Sequence, residues 1–293
     1  MEFIKPIKKW LTSAFFNLLL TIAGALSAMV YFIVFHILKY RYDVIRKNLS
    51  SSFPVRGEQQ IKVFIKHYYR HLSDLVVEPF LHMIIGAKRR KELANYTNPE
   101  LLENFYSDNR NVVLLASHYG NWEYLINLPK VVKFKVFTAF TPVSNHWLNA
   151  KLLKMRSFFG VNLIAKQYFY RGALSALKQF KRPSLVVVIA DQRPAPASGK
   201  HFVSFLGQKT SAQIGGERLA VVSDAVVVYL ECIKKARFHY DYTFHLVSDH
   251  SSQSLPLNIT ASYYNLLEKN IIRAPAHWLW SHDRWKHIPA DEK

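Results

Sequence analysis

The 293-residue chain is 50% hydrophobic, which supplies a sizeable core and excludes disorder over most of its length. Its formal net charge of +19 is too lopsided for a neutral cytosolic enzyme and predicts a polyanionic partner such as phospholipid headgroups, nucleic acid or an acidic protein. Its single cysteine, Cys232, excludes an internal disulfide or a cysteine-based metal site, and its apolar sequence neighbours predict a buried structural thiol.

The first predicted element is a membrane-associated helical segment. Residues 11–38, LTSAFFNLLLTIAGALSAMVYFIVFHIL, contain no Lys, Arg, Asp or Glu and exceed the roughly 20 residues that cross a bilayer core. The basic cluster that follows is slightly heavier than the one that precedes, so the positive-inside rule favours a cytoplasmic body. A signal peptide is disfavoured because the apolar run is too long and ends in Lys and Arg. Gly24 and Ser27 leave open a helical hairpin that dips into one leaflet.

The remainder of the chain predicts an α/β domain, with a mixed sheet flanked by helices. Four short β-branched runs predict core strands: VVLLAS, FKVFTAF, SLVVVIA and DAVVVYLECI. Helical periodicity lies around them, at residues 58–84, 146–159, 171–180, 211–222 and 256–272. The turn-rich stretch LSSSFPVRGE separates the two parts. We therefore predict a membrane anchor with a basic juxtamembrane segment at residues 1–50 and a second domain at residues 51–293.

The first candidate site lies where the predicted strand VVLLAS leads into His118. Gly120 and Asn121 permit a tight turn, and Glu123 falls in the first turn of the next predicted helix, from which it could reach back to the imidazole. A carboxylate on one ring nitrogen fixes the tautomer and leaves the other nitrogen free to take a proton from a hydroxyl nucleophile. The spacing alone fits nearly as well a capping His and a Glu that favours the helix N-terminus.

A second candidate site lies after the predicted strand SLVVVIA, where Asp191 is followed by Gln192 and Arg193. Ligands bind at strand ends in such sheets, so these three side chains are candidates for the same site as His118. An Asp at a strand end is about as often a turn or cap residue, so the sequence leaves both interpretations open.

The C-terminal segment AHWLWSHDRWKH is rich in imidazole and indole groups. Its three histidines recur at a spacing of five, which neither a helix nor a strand places on one face, so we expect no metal site there. Trp278, Trp280 and Trp285 are predicted to form a packed cluster or a membrane-interface belt.

Four blocks follow one another along the chain. They are YRYDVIRKNLSSSFP with the helix YYRHLSDLVVEPF, the box HYGNWE, the block VVVIADQRPAPASGKHFVSFLGQKTSAQIGGERLA, and the segment IIRAPAHWLWSHDRWKH. Together they resemble the late acyltransferases of lipid A biosynthesis in Gram-negative bacteria, within the lysophospholipid acyltransferase-like superfamily. The Phe-Pro-Glu-Gly-Thr block typical of glycerol-3-phosphate and lysophosphatidate acyltransferases is absent from the sequence, which argues against those substrates.

The resemblance implies transfer of a fatty acyl group from an acyl carrier protein thioester to the 3-hydroxyl of an acyl chain on a lipid A precursor. His118 would deprotonate the hydroxyl and Glu123 would orient His118. Arg156, with Arg171 as the second choice, would stabilise the oxyanion or hold a phosphate. No metal or redox cofactor is implied. The alternatives are a glycerophospholipid acyltransferase and a non-catalytic, membrane-tethered scaffold that binds nucleic acid or lipid.

The implied partners account for the basic composition. The carrier protein is acidic, the lipid A precursor is phosphorylated and the membrane carries anionic lipids, so we expect these partners and no nucleic acid. Arg193, Lys200 and Lys209 lie near the predicted strand ends, and some of these residues and Arg156 are expected to face the phosphates or the carrier protein. The implied location is the bacterial inner membrane, with the catalytic domain on the cytoplasmic side.

Overall fold

The computed structural model describes residues 4–142, 144–179, 182–195 and 201–286. Lys200 and His287 lie outside these ranges. The described residues form an α/β fold in which a mixed sheet is flanked by helices, as the sequence predicted. An apolar helix precedes this fold at the N-terminus.

Helices and strands alternate along most of the described chain. The α-helices are α1 (Ile4–Tyr31), α2 (Tyr42–Ser52), α3 (Glu58–Ile84), α4 (Ala87–Leu93), α5 (Glu100–Ser107), α6 (His146–Ser157), α7 (Phe169–Gln179), α8 (Gly215–Ser223) and α9 (Asn258–Arg273). The strands are β1 (Ala94–Tyr96), β2 (Val112–Ala116), β3 (Lys135–Phe140), β4 (Asn162–Ala165), β5 (Ser184–Ile189), β6 (Phe202–Phe205), β7 (Gln208–Ser211), β8 (Val226–Ala236) and β9 (His239–Ser248). The four predicted strands are confirmed as β2, β3, β5 and β8.

Seven of the described strands form one sheet in the order β1-β9-β8-β2-β5-β3-β4, and β6 and β7 form a separate hairpin. Within the large sheet β8 and β9 are antiparallel, and the other neighbouring strands are parallel. The central strand β2 is buried at every residue and pairs with β5 from Val112 with Leu185 to Ala116 with Ile189. This parallel register places the carboxyl ends of β2 and β5 side by side at one edge of the sheet.

The structure differs from the sequence predictions at two helices. The helix predicted at residues 211–222 begins only at Gly215, because residues 208–211 pair with β6 as strand β7. The segment after His118 is a 3₁₀-helix, Trp122–Lys130, and Pro129 removes one backbone donor from its last turn. Strand β9 was not predicted, although its residues alternate between buried and partly exposed positions as in a half-buried strand.

The N-terminal segment is helical throughout its apolar run. Ser13–Ile37, with 25 residues and a mean hydropathy of 2.3, is long and apolar enough to span a membrane. The helix continues unbroken through Gly24 and Ser27, so the alternative of a hairpin at these residues is not found. One face packs against α3, and the other exposes Phe15, Leu18, Ile22, Leu26 and Met29. The exposed apolar face makes α1 a candidate for membrane association.

A buried carboxylate joins α1 to the rest of the fold. Asp74 in α3 accepts hydrogen bonds from Ser27 Oγ at 2.7 Å, Lys234 Nζ at 2.9 Å and Arg237 Nε at 3.0 Å. Arg237 also donates to the carbonyl oxygen of Gly24 at 3.2 Å. The middle of the apolar helix is therefore fixed to the body by polar contacts. The predicted boundary at residue 50 falls inside α2.

We expect Asp74→Ala to lower the free energy of unfolding by about 3 kcal/mol, because it leaves a buried cation without its carboxylate. The cation is Lys234, whose side chain is only 11% exposed. Chemical unfolding of the full chain in detergent micelles measures the change. Asp108→Ala is the matched control, since Asp108 is exposed, and it should stay close to wild type. Equal unfolding midpoints for the two variants would contradict a stabilising role for this contact.

Candidate active site

The turn that follows β2 sets the position of His118. The chain leaves the sheet after Ala116 and turns at Gly120, whose φ of +64° lies in the left-handed region. A Cβ at Gly120 would overlap Cys232 Sγ, so glycine is required for space as well as for conformation. Cys232 is buried, and burial raises the pKa of its thiol to about 12, which agrees with the predicted structural thiol.

His118 is bonded to Asp191. His118 Nδ1 lies 2.8 Å from Asp191 Oδ1, and the backbone N–H of His118 donates to Asp191 Oδ2 at 3.0 Å. The two residues meet because each lies two positions beyond one member of the paired residues Ala116 and Ile189. Strand pairing therefore brings His118 and Asp191 together at one edge of the sheet.

Asp191 is an ionised acceptor in a buried position. It is 1% exposed, and Trp278 Nε1 donates to its Oδ2 at 2.8 Å. Burial alone would raise the pKa of Asp191, but the adjacent His118 imidazole and the hydrogen bonds from His118 and Trp278 outweigh it and hold the pKa below its usual value. An ionised carboxylate can only accept, so these partners assign a proton to His118 Nδ1, and the lone pair of the neutral imidazole is then on Nε2.

Two neighbours hold the imidazole ring on its other sides. Gln192 Nε2 lies 3.3 Å from His118 Nε2, within reach to donate to the unprotonated nitrogen. The Trp122 ring lies edge-on, with its centroid 5.0 Å from that of the imidazole. These contacts and the Asp191 bonds leave the ring one well-defined orientation.

The contact expected between Glu123 and His118 is replaced by another. Asn121 Oδ1 caps the 3₁₀-helix by accepting from the Glu123 N–H at 3.0 Å, and the Glu123 carboxylate pairs with Arg156 Nη2 at 3.1 Å. The physical reason is that Asp191, which follows β5, already occupies the Nδ1 side of the imidazole. The Glu123 carboxylate instead contacts Arg156 of α6. Arg156, the first choice for a basic site residue, is thus brought to the site as the partner of Glu123.

His118, Glu123 and Arg156 line one cavity of about 400 Å³, which we name the central cavity. Its polar side chains include His118, Glu123 and Arg156. Most of its remaining wall is apolar and comes from the 3₁₀-helix and strands, including Leu125, Ile126, Val136, Phe140, Val161, Leu163, Val187 and Ile189. The arrangement presents a base and an ion pair to an apolar slot, which suits a reaction at the polar end of an aliphatic chain.

Buried polar groups behind the turn at Asn121 hold it in place. Glu78, fully buried in α3, accepts hydrogen bonds from Asn121 Nδ2 and from the Tyr240 hydroxyl, the latter at 2.7 Å. The Tyr242 hydroxyl donates to the carbonyl oxygen of Asn121 at 2.5 Å. Burial raises the pKa of Glu78 to about 7. The signal for these groups was an acid inside the apolar stretch LVVEPF, and its partners come from distant strands.

The other predicted binding residues are divided between positions near the site and positions away from it. The Arg193 backbone N–H donates to His282 Nε2 at 3.1 Å, and burial lowers the pKa of His282 to about 4, which keeps it a neutral acceptor. Arg171 is exposed on α7 and is not among the described residues that line the central cavity. Lys209, on β7, lies over the Phe202 ring, and Lys200 is outside the described residues.

The C-terminal tryptophans are buried, as a packed cluster requires, and so do not form an exposed belt. One contact was not predicted: Trp278 donates to Asp191 and so belongs to the site. Trp280 and Trp285 donate instead to the Pro275 carbonyl and the Thr210 hydroxyl. Among the described residues, no group of three His, Cys, Asp or Glu side chains could hold a metal ion.

Comparison with known proteins identifies the family of the chain. The family model described as bacterial lipid A biosynthesis acyltransferase matches residues 10–287. The chain belongs to this family. The lipid A biosynthesis palmitoleoyltransferase of Escherichia coli (strain K12) is 23% identical over 257 residues, which cover 87% of this chain and 82% of the relative. A lipid A biosynthesis acyltransferase of Shigella flexneri shows the same identity and coverage. Family membership identifies the chain as an acyltransferase of lipid A biosynthesis and confirms the resemblance noted in the sequence.

We expect Glu78→Gln to remove the contribution of Glu78 ionisation to the pH dependence of the free energy of unfolding. Because the folded-state pKa of Glu78 is raised from 4.5 to about 7, the wild type loses stability as pH rises through this window, by about 3 kcal/mol in all. Gln cannot ionise, so the variant should gain stability relative to wild type between pH 5 and 8. Chemical unfolding at four pH values measures this, with Glu100→Gln, at an exposed position, as the control. A constant difference across the pH range would contradict the expected titration.

Proposed function

We propose that this protein transfers a fatty acyl chain from an acyl carrier protein thioester to the 3-hydroxyl of an acyl chain on a phosphorylated lipid A precursor. The reaction takes place at the cytoplasmic surface of the bacterial inner membrane and uses no metal or redox cofactor. The observation that carries the proposal is the contact of His118 Nδ1 with Asp191, which leaves Nε2 on the other side of the ring for proton exchange, at a cavity with apolar walls. Family membership supplies the reaction class.

His118 acts as the general base and then as the general acid. Its Nε2 takes the proton of the acceptor hydroxyl as the oxygen attacks the thioester carbonyl carbon. The tetrahedral intermediate then breaks its carbon–sulfur bond, and the imidazolium returns the proton to the departing thiolate sulfur. Asp191 remains ionised throughout and stabilises the imidazolium, as the carboxylate of a triad does. The acceptor supplies the nucleophile, so no protein nucleophile is needed.

The Glu123–Arg156 pair contributes the positive charge of the site. Arg156 offers guanidinium N–H groups to the oxyanion that forms on the thioester oxygen. Glu123 holds that guanidinium in place at 3.1 Å. In this proposal Glu123 still contributes to catalysis, but it acts through Arg156 rather than through His118.

The apolar walls of the central cavity and the basic composition fit the two substrates. An aliphatic acyl chain can occupy the apolar slot with its carbonyl at the polar end. The net charge of +19 attracts an acidic carrier protein, a phosphorylated acceptor and anionic membrane lipids. The exposed apolar face of α1 and its contact with α3 would hold the site close to the membrane surface.

Substitutions at His118, Asp191 and Glu123 should distinguish the base, the group that orients it and the partner of Arg156. His118→Ala removes the base and should lower turnover by about 10²- to 10⁴-fold. Asp191→Asn should cause a loss of similar size and move the acid side of the pH–rate profile to lower pH, because the imidazolium loses its carboxylate partner. Glu123→Gln should lower turnover without moving the profile. Steady-state rates from pH 5 to 9 measure both effects.

The Glu123–Arg156 pair provides an internal check on this assignment. Arg156→Gln should resemble Glu123→Gln, and the double variant should be no slower than the poorer single variant, since the two residues act as a unit. Asp108→Asn, at an exposed position, serves as the carboxylate control. A profile that moves with Glu123→Gln and stays in place with Asp191→Asn would show that Glu123 is the group that orients His118.

An assay with alternative substrates tests the reaction itself. Purified protein in detergent is given an acyl carrier protein thioester with either a lipid A precursor or a lysophospholipid, and the products are identified by mass spectrometry. We expect one added acyl chain on the lipid A precursor and no transfer to lysophospholipid above that of His118→Ala. Equal transfer to lysophospholipid would favour the glycerophospholipid alternative. Equal use of acyl-coenzyme A would contradict dependence on the carrier protein.

A further inference from the structure

A second cavity, of about 610 Å³, lies next to the strand end that carries Asp191, and we name it the basic cavity. Its lining includes four basic side chains, those of Lys166, Arg193, His201 and Arg218. None of the described residues that line it is acidic. Lys166 and Arg218 are exposed and have no ion-pair partner among the described residues, so their charges are available to a ligand.

The acids of the surrounding elements are engaged elsewhere. Glu217, which precedes Arg218 in α8, accepts hydrogen bonds from the backbone N–H groups of Leu257 and Thr260 at 2.6 and 2.8 Å. Glu268 in α9 accepts from the Leu206 N–H at 2.9 Å. The positive charge of the basic cavity is therefore not neutralised by these two acids, and it suits an anionic ligand.

Gln192 lies between the basic cavity and the catalytic His118. Gln213, in the wall of the basic cavity, donates to the carbonyl oxygens of Gln192 at 3.0 Å and of Arg193 at 3.4 Å. The side chain of Gln192 in turn lies against His118 Nε2. Gln192 thus separates the basic cavity from the central cavity, and the described linings of the two cavities have no residue in common.

We propose that the basic cavity binds a phosphate group of the acceptor lipid while the acceptor's hydroxyl reaches His118. The inference rests on the proposed function. A phosphomonoester carries about −1.5 to −2 charges at pH 7, and a site with several cations and no acid matches that charge better than it matches a phosphodiester, which carries one. The volume also exceeds that of a lone phosphate and leaves room for part of the attached sugar. The carrier protein's prosthetic arm also carries phosphate, as a diester, so the test includes both sources.

The test measures binding without any acyl transfer. Wild-type protein and the variants Arg218→Ala and Lys166→Ala are titrated, in mixed micelles, with a phosphorylated lipid A precursor and with the same lipid after enzymatic removal of its phosphates. Lys178→Ala is the control for lost surface charge, because Lys178 is exposed on α7 and does not line the basic cavity. Holo acyl carrier protein, which carries the phosphate of the arm as a diester, is titrated in parallel as the probe for the donor arm, with the apo carrier protein as its control. Thermal unfolding verifies that each variant is folded.

We expect each cavity variant to bind the phosphorylated lipid about tenfold more weakly and the dephosphorylated lipid as wild type does. Added salt should weaken wild-type binding of the phosphorylated lipid and reduce its advantage over the variants. Arg218→Lys should recover part of the loss, since it restores the charge without the planar fork. Affinities that fall equally for both lipids, or that fall equally in Lys178→Ala, would overturn the phosphate assignment.

The two sources of phosphate and the two proposals give different results. Weaker binding of the cavity variants to holo acyl carrier protein, with unchanged binding of the apo form and of the lipid, would overturn the acceptor assignment in favour of the donor arm. Because no thioester is present, phosphate-dependent lipid binding supports the cavity assignment even if the protein later fails to transfer an acyl chain. Conversely, normal transfer combined with phosphate-independent lipid binding would overturn the cavity assignment and leave the proposed function intact.

Discussion

The hydrogen bond between His118 and Asp191 is the interaction on which the rest of the site depends. It exists because β2 and β5 are parallel and paired so that Ala116 lies opposite Ile189, two residues before each site residue. A slip of one residue in either strand would turn the side chain at its end to the opposite face of the sheet and so separate His118 from Asp191. The buried apolar pairs from Val112 to Ala116 therefore fix the catalytic geometry by the same contacts that stabilise the sheet.

Two buried carboxylates show how the surroundings assign different states to the same chemical group. Asp191 receives hydrogen bonds from two His118 groups and from the Trp278 indole, and together with the electrostatic effect of the adjacent imidazole these lower its pKa in spite of burial. Glu78 has hydrogen bonds from Asn121 and Tyr240, but burial prevails and raises its pKa to about 7. The first is suited to stabilising an imidazolium, and the second to holding the turn that carries Glu123.

The placement of the apolar helix bears on how the site meets the membrane. α1 is bonded along its middle to Asp74 and Arg237, so it cannot swing freely relative to the sheet. If α1 binds the bilayer, its exposed apolar face would therefore keep one orientation relative to the sheet. On the proposed function, the central cavity takes an acyl chain and the basic cavity a phosphate, and Gln192 lies between the two. The separation of apolar and anionic binding regions matches the two halves of an amphipathic substrate.

The sequence by itself determined the α/β class, the apolar N-terminal helix, the four central strands, His118 and the candidate strand end at Asp191, because periodicity, turn residues and strand-end positions are local properties. It also carried the motifs of the family. Only the tertiary structure decided which acid meets the imidazole. Glu123 is near His118 in sequence, but the turn at Gly120 and the cap at Asn121 bring it to Arg156, whereas Asp191 is 73 residues away and reaches Nδ1 through strand pairing. The contacts of Trp278 with Asp191 and of Glu78 with Asn121 were not predicted for the same reason: hydrogen bonds between distant segments depend on how the strands pair and the helices pack, and spacing along one segment does not encode that.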